Sequence, residues 1–249
     1  MKFMDPRPNI INQRLKNIKT IIAVSGGKGG IGKSSIASVL ALNLTKNGLK
    51  TGLLDLDFCG PSTHTILGIN NLFPKENKGI IPPEFKGLKF MSIIYYTGKK
   101  PALLRGEDIS NIILELLTIT QWGDLDFLII DMPPGIGDAA LDILKLVKKT
   151  KFLIVATPSK TTMETVNKNI KMLKELKAPI LGIIENYQSH QFLKIKTESK
   201  ISGVPILGKI NFDKKFESAI GNTDKILKTD FSRDLKKIIY KISKSKGVV

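Results

Sequence analysis

A chain of 249 residues with one cysteine and two histidines excludes an intrachain disulfide and argues against a Cys/His metal cluster built within one chain. Its net charge of +17 is almost wholly lysine, interleaved with acids as over Lys168 to Lys177, so a solvated basic surface is favoured over a dedicated nucleic-acid patch. No apolar run approaches the roughly 20 residues that span a bilayer, and the opening six residues lack the apolar centre of a signal peptide, so a cytoplasmic protein is expected.

Residues 1–18 are polar, with Ile10, Ile11, Leu15 and Ile18 at helical spacing. They read as a lead-in packed on the edge of a single domain that occupies the whole chain. The apolar run 20–24 predicts a strand, and the periodic run 36–44 predicts a helix ending near Asn47-Gly48, a good C-terminal cap pair. Between them Gly27 to Ser34 spells G-x-x-x-x-G-K-S. Strand, glycine loop and helix are the context in which that motif binds phosphates. Gly27, Gly29, Gly30 and Gly32 allow positive φ, so the backbone can turn its N–H groups onto a polyphosphate at the start of the next helix. Ile31 and Ser35 complete the cradle. Lys33 is placed to reach the β- and γ-phosphates, and the Ser34 hydroxyl to ligate Mg²⁺.

The run 50–57 reads as a buried strand with Asp55 and Asp57 at its C-terminal end, two apart and so on one side of an extended chain. In an open parallel sheet ligands bind at that end, which places both acids in one crevice with the glycine loop. Residues 70–100 are Pro-, Gly- and Lys-rich around two short strand candidates, 79–81 and 88–95. They read as an excursion from the core that can form a hairpin. A helix over 108–120, capped by Asp108 or Ser110, precedes a central strand over 126–131 that ends in Asp131 and a turn over 132–138 holding two prolines and two glycines.

The alternation then repeats: helix 139–148, strand 152–156, helix 161–176, strand 180–184, short strand 204–207 and a closing helix over 232–243. The expected fold is α/β, a doubly wound and mostly parallel sheet with helices on both faces. In the closing helix Phe231, Leu235, Ile238, Ile239 and Ile242 share one face and lysines flank it. That stripe packs on a sheet more often than on a membrane, although a basic amphipathic helix can do either.

Nucleotide hydrolysis at such a loop needs an acid near Mg²⁺, a group that positions water and positive charge at the γ-phosphate. Asp131, ending an apolar strand, is the candidate second Mg²⁺ ligand. Asp57, nearer the loop, is the candidate to orient the attacking water, with Asp55 as a supporting group behind it. Lys28 adds a second cation to a loop already served by Lys33.

With a lysine at 28, the loop resembles the deviant Walker A motif of the MinD, ParA and nitrogenase iron protein class. That resemblance implies ATP as nucleotide and a homodimer with ATP at the interface. It also implies that Lys28 acts in trans on the partner subunit's nucleotide; neutralising its own subunit's phosphates is the alternative. No N-K-x-D guanine signature occurs in the chain.

The blocks at 53–62, 104–106, 122–126, 130–138 (with Asp-Met-Pro-Pro-Gly) and 182–186 resemble, in order, the Mrp-type ATPases, which are iron-sulfur cluster carriers. By that resemblance Asn186 contacts adenine and the 131–138 turn is a switch that senses the γ-phosphate. Cluster-carrying members place a C-x-x-C pair soon after the Glu-Asn block, where this chain reads Y-Q-S-H-Q-F-L-K-I-K over 187–196. His190 and Ser189 do not replace four thiolates. Cys59 reads as a small, partly buried residue of a switch loop. The expected function is therefore ATP binding and hydrolysis in iron-sulfur cluster assembly or transfer, with any cluster held by this chain alone disfavoured. The client is undefined. The alternatives are a MinD- or ParA-like positioning protein on membrane or DNA and a metallocentre-insertion ATPase.

Overall fold

The computed structural model describes residues 5–97, 106–135, 137–188 and 203–245. In chain order its elements are α1 (Arg7–Leu15), β1 (Ile18–Gly26), α2 (Lys33–Lys46), β2 (Thr51–Asp55), α3 (Thr63–Leu67), β3 (Lys75–Glu76), β4 (Ile80–Ile81), β5 (Glu84–Phe85), β6 (Leu88–Ser92) and α4 (Ile94–Thr97). After them come α5 (Gly106–Ile119), β7 (Leu125–Asp131), α6 (Asp138–Leu146), β8 (Thr150–Ala156), α7 (Lys160–Glu175), β9 (Ile180–Gln188), β10 (Ile206–Asn211), α8 (Lys214–Ala219), α9 (Thr223–Ile226) and α10 (Asp230–Ser245).

Eight strands form one sheet in the order β10-β9-β8-β1-β7-β2-β6-β5. Every neighbouring pair is parallel except β5 with β6. The central strands are apolar on both sides because helices cover both faces. Along β1, Ile21 and Ala23 enter the core under α1, α5, α6 and α7, while Ile22 and Val24 enter the one under α2 and α10. From β1 the chain winds to β2 on one side and later to β8 on the other. The end of β1 is thus the point where the strand order reverses and a crevice opens.

The lead-in is tied down at both levels. Ile11 and Leu15 of α1 are buried, and the Lys149 ammonium donates to the Leu15 and Ile18 carbonyls at 2.6 Å each, closing the step between α1 and β1.

Several expectations change. Residues 88–95 are not an excursion: Leu88–Ser92 pairs in parallel with β2, and Leu88, Phe90 and Met91 are fully buried. An apolar run covered on both faces belongs to the sheet, and among the described residues of this region the small β3–β4 hairpin is the pairing that stands apart from it. Helix α5 begins at Gly106, which puts Asp108 inside the first turn, where its charge suits the positive end of the helix, rather than at a cap. The strand expected at 204–207 lies at Ile206–Asn211. The short helices α3, α8 and α9 were too brief for a periodic signal.

The closing helix uses its apolar stripe internally. Phe231, Leu235, Ile238, Ile239 and Ile242 are all buried against the same core as α2 and β10, and a Cβ at Gly208 would lie 2.5 Å from Ile238 Cγ1. Asn43 of α2 and Ser232 of α10 are completely buried and joined at 3.1 and 3.2 Å. Among the described residues no helix is long and apolar enough to cross a membrane.

Candidate functional site: a phosphate-binding crevice

The glycine loop leaves β1 at Gly26 and enters α2 at Lys33. Gly30 and Gly32 adopt left-handed φ of 73° and 86°, a conformation costly for any other residue. Gly27 and Gly29 do not take positive φ, so the reason for glycine differs by position. At Gly27 a Cβ would come within 2.8 Å of the Thr165 side chain of α7. At Gly29 and Gly30 a Cβ would meet nothing within 4 Å, so the rim of the cradle is open toward a ligand. At Gly32 a Cβ would collide with the side-chain amide of Asn186. Ile31 is buried and packs back on Gly26. Ser34 and Ser35 are half-buried on the first turn of α2.

Lys33 is buried, and its ammonium donates to the Lys28 carbonyl at 3.3 Å. Burial lowers its pKa, opposed by the carboxylates of Asp131 and Asp57. Lys28 itself is exposed at the loop's outer rim.

Asp131 ends β7, in register with Val24 of β1 and Asp55 of β2. It is fully buried, yet neither carboxylate oxygen has a hydrogen bond of good geometry. Burial pushes its carboxyl well above the usual range, and the Asp55 charge adds to this. The nearby Ser34 hydroxyl and the Lys33 ammonium pull the other way. A buried carboxylate without well-formed hydrogen bonds costs several kcal/mol by the general cost of poorly paired charge. A divalent cation held by Asp131 and Ser34 would remove that cost, and hard oxygen donors suit Mg²⁺. The donor set thus fits the ion.

Asp55 is equally buried but well supplied. It accepts from Thr63 Oγ1 at 2.5 Å, from the Asp57 N–H at 3.0 Å and from the Thr63 N–H at 3.3 Å. Burial still raises its pKa to about 6. Asp57 lies beyond the strand end, because β2 stops at Asp55, so the extended-strand geometry does not hold. Instead the chain turns, and Asp57 Oδ1 accepts from the N–H groups of Cys59 and Gly60 at 3.1 and 3.2 Å. Its charge still reaches Lys33 and Asp131, so it faces the crevice. Cys59 is exposed and free rather than partly buried.

Asn186 on β9 donates its amide to the Ile31 carbonyl at 2.9 Å and is wholly buried, with its Oδ1 unpartnered. Glu185 beside it is buried in an ion pair with Lys209 of β10 at 2.8 Å. Tyr187 turns into left-handed φ of 55°, and its hydroxyl lies near the position a Gly32 Cβ would take. The 131–138 turn is tied to the loop by the Gly135 N–H donating to the Gly26 carbonyl at 3.0 Å. Arg105, Ile136 and the 189–196 stretch with Ser189 and His190 lie outside the described residues. Thr63, Thr165 and Tyr187 escaped the sequence reading because their roles depend on contacts across the fold. Only Thr63, directly after the Gly-Pro-Ser block, carried a local hint.

A glycine cradle at the switch point of a parallel sheet, with Lys33, Ser34 and a buried strand-end aspartate around it, defines a P-loop nucleotide-binding protein of the α/β type. The pattern of the ParA family, described as NUBPL iron-transfer P-loop NTPase, matches residues 17–246, and the chain belongs to that family.

Among curated proteins it is 40% identical over 180 residues to an iron-sulfur cluster carrier protein of Pseudomonas fragi, covering 71% of this chain and 63% of the relative. It is 42% identical over 176 residues to the chloroplastic Fe-S cluster assembly factor HCF101 of Arabidopsis thaliana, covering 69% of this chain and 33% of that protein. The matched part is thus less than two thirds of either relative's length. Among solved structures, a nucleotide-binding protein from Archaeoglobus fulgidus in complex with ADP superposes with TM-score 0.72 at 31% identity, covering 88% of this chain and 92% of that one. The septum site-determining protein MinD from Pyrococcus horikoshii, complexed with Mg-ADP, shares the fold with TM-score 0.70 at 19% identity, covering 92% and 98%.

Proposed function

We propose that this protein binds and hydrolyses Mg-ATP as a nucleotide-switched homodimer in iron-sulfur cluster assembly or transfer. The observation that carries the nucleotide reading is Asp131: a buried carboxylate without a well-formed hydrogen bond, beside Lys33 and Ser34 at the mouth of a glycine cradle. The iron-sulfur reading is supported by the family and by what its relatives are called.

In this scheme the amides of 27–35 and the Lys33 ammonium hold the phosphates, with Lys33 leaving the Lys28 carbonyl to do so. Ser34 and Asp131 would hold Mg²⁺, which would neutralise charge on the phosphates. Asp57 orients a water for attack on the γ-phosphorus; the bond to the β–γ bridging oxygen breaks and ADP and phosphate result. Exposed Lys28 reaches the partner subunit's nucleotide. Asn186, fastened to the Ile31 carbonyl beside the cradle, is the residue assigned to an adenine contact. The 131–138 turn, hydrogen-bonded to Gly26, follows occupancy of the cradle. Because Cys59 is the only thiol in the chain, cluster ligands come from the client.

Titration calorimetry with Mg-ATP, alongside phosphate release, tests the first half. Wild type is expected to bind and turn over, and Asp131→Asn to lose turnover with Mg²⁺; unchanged turnover in that variant refutes the assignment. For the second half, anaerobic incubation with iron, sulfide and a thiol-bearing apo-acceptor should give nucleotide-dependent cluster delivery. Delivery at the same rate without the protein would reject a role in transfer.

A further inference from the structure

Away from the crevice, a groove of about 450 Å³ opens along α8 and α9. Lys214, Lys215, Lys225 and Lys228 line it, over a floor that includes the buried Ala219 and Thr229. None of these four lysines forms an ion pair among the described residues. Of the acids nearest to them in sequence, Glu217 on α8 is exposed and forms no ion pair with them among the described residues, while Asp213 and Asp224 are engaged elsewhere. Asp213 accepts from the N–H groups of Lys215 and Phe231 at 2.9 and 3.1 Å, which fixes the start of α8 and the approach to α10. Asp224 is held by Lys86 at 2.9 Å. With Glu217 on α8 and the Asp224 carboxylate near Lys228 as the acids close by, four lysines in one concavity still leave an excess of positive charge, which an anionic partner would relieve.

We infer that this groove docks an acidic segment of a partner protein. The cations are all lysine, compact charges on flexible stems, and they tolerate carboxylates spaced irregularly along an extended chain. Nucleic acid is the poorer fit. Neither a guanidinium fork nor an aromatic ring lines the groove, so it lacks the usual means of gripping phosphates in two places or stacking bases. Its volume accommodates a few side chains rather than the width of a duplex. Its α8 side adjoins the end of the sheet that carries the crevice, since α8 follows β10 and Phe212, whose ring packs 6.3 Å from that of Tyr187 beside the glycine loop, while its α9 side is tied to Lys86 ahead of β6. The inference does not depend on the nucleotide reading.

The test is fluorescence anisotropy of a labelled octaglutamate peptide with the full chain, against a labelled DNA duplex of equal net charge. Lys214→Glu with Lys225→Glu is compared with Lys148→Glu plus Lys171→Glu, an equal change of charge on exposed residues of other elements. The groove pair should weaken peptide binding about tenfold or more and the remote pair by less than about twofold. Lys214→Gln with Lys225→Gln, gentler on the fold, should weaken it as well. Equal losses in the groove and remote pairs, peptide binding unchanged in the glutamine pair, or tighter binding of the duplex than of the peptide would each overturn the assignment.

Discussion

Asp55 and Asp131 stand opposite each other in the register of β2 and β7, both fully buried, and Asp55 accepts three well-formed hydrogen bonds where Asp131 accepts none of good geometry. Both carboxyls are displaced upward, so the folded chain holds protons that the unfolded chain has released. The stability associated with Asp55 is therefore greatest below its ordinary value of 3.8 and is lost as pH rises toward about 6. At 1.36 kcal/mol for each pH unit of displacement, that loss is about 3 kcal/mol. Urea unfolding in chelator, for wild type and Asp55→Asn from pH 4 to pH 7, should show the two stability curves diverging over this window. Parallel curves would refute the linkage.

Removing the Lys33 ammonium should abolish the grip on phosphates while sparing the fold. Lys33→Ala is expected to weaken Mg-ATP binding by about 100-fold or more, read by calorimetry. Its thermal midpoint without nucleotide should stay near that of wild type, because the ammonium's hydrogen-bond partner is a single carbonyl at 3.3 Å. Undiminished affinity would contradict the site.

Asn186 is a positioning residue for the loop. Asn186→Leu fills the space but cannot donate to the Ile31 carbonyl, which costs about 1–3 kcal/mol for the orphaned acceptor. Hydrogen exchange over 27–35 should quicken and nucleotide affinity should fall about tenfold. Faster exchange confined to β9, with the loop unaltered, would show that the tether is unimportant.

The closing helix is a core element. Leu235 is fully buried, and Leu235→Ala should cost about 3 kcal/mol in urea unfolding. Liposome sedimentation of wild type should show no apolar insertion by α10, since the stripe faces inward; insertion with α10 still folded on the sheet is incompatible with the burial seen.

Lys28 can be assigned by mixing. Dimers of Lys28→Ala with Lys33→Ala combine one subunit that lacks the exposed lysine with one that cannot hold nucleotide. If Lys28 acts in trans, the Lys28→Ala subunit keeps its nucleotide but receives the partner's lysine, and turnover recovers toward half of wild type. Absence of recovery, with dimers present by sedimentation, assigns Lys28 to its own subunit.

Motif and strand context sufficed to place Gly27 to Ser34, Asp131 and the parallel sheet in the sequence, because a phosphate loop, a strand end and a helical period are local patterns. What could not be read there depended on distant neighbours. Leu88–Ser92 looked marginal among prolines and lysines, and only its pairing with Thr51–Asp55 makes it a core strand. The turn that takes Asp57 off the strand follows from hydrogen bonds to Cys59 and Gly60. That Asn186 fastens the loop at Ile31 across 155 positions is a property of the closed fold alone.

The buried pairing of Asn43 with Ser232 binds α2, which starts at Lys33, to α10. Cutting the polypeptide ahead of Ser232 would strip a mate from an amide sealed beneath that first helix, as well as uncover a greasy ridge. Helix α10 is thus scaffolding for the glycine-loop crevice, and an alteration beside it inherits an obligation to leave that helix seated.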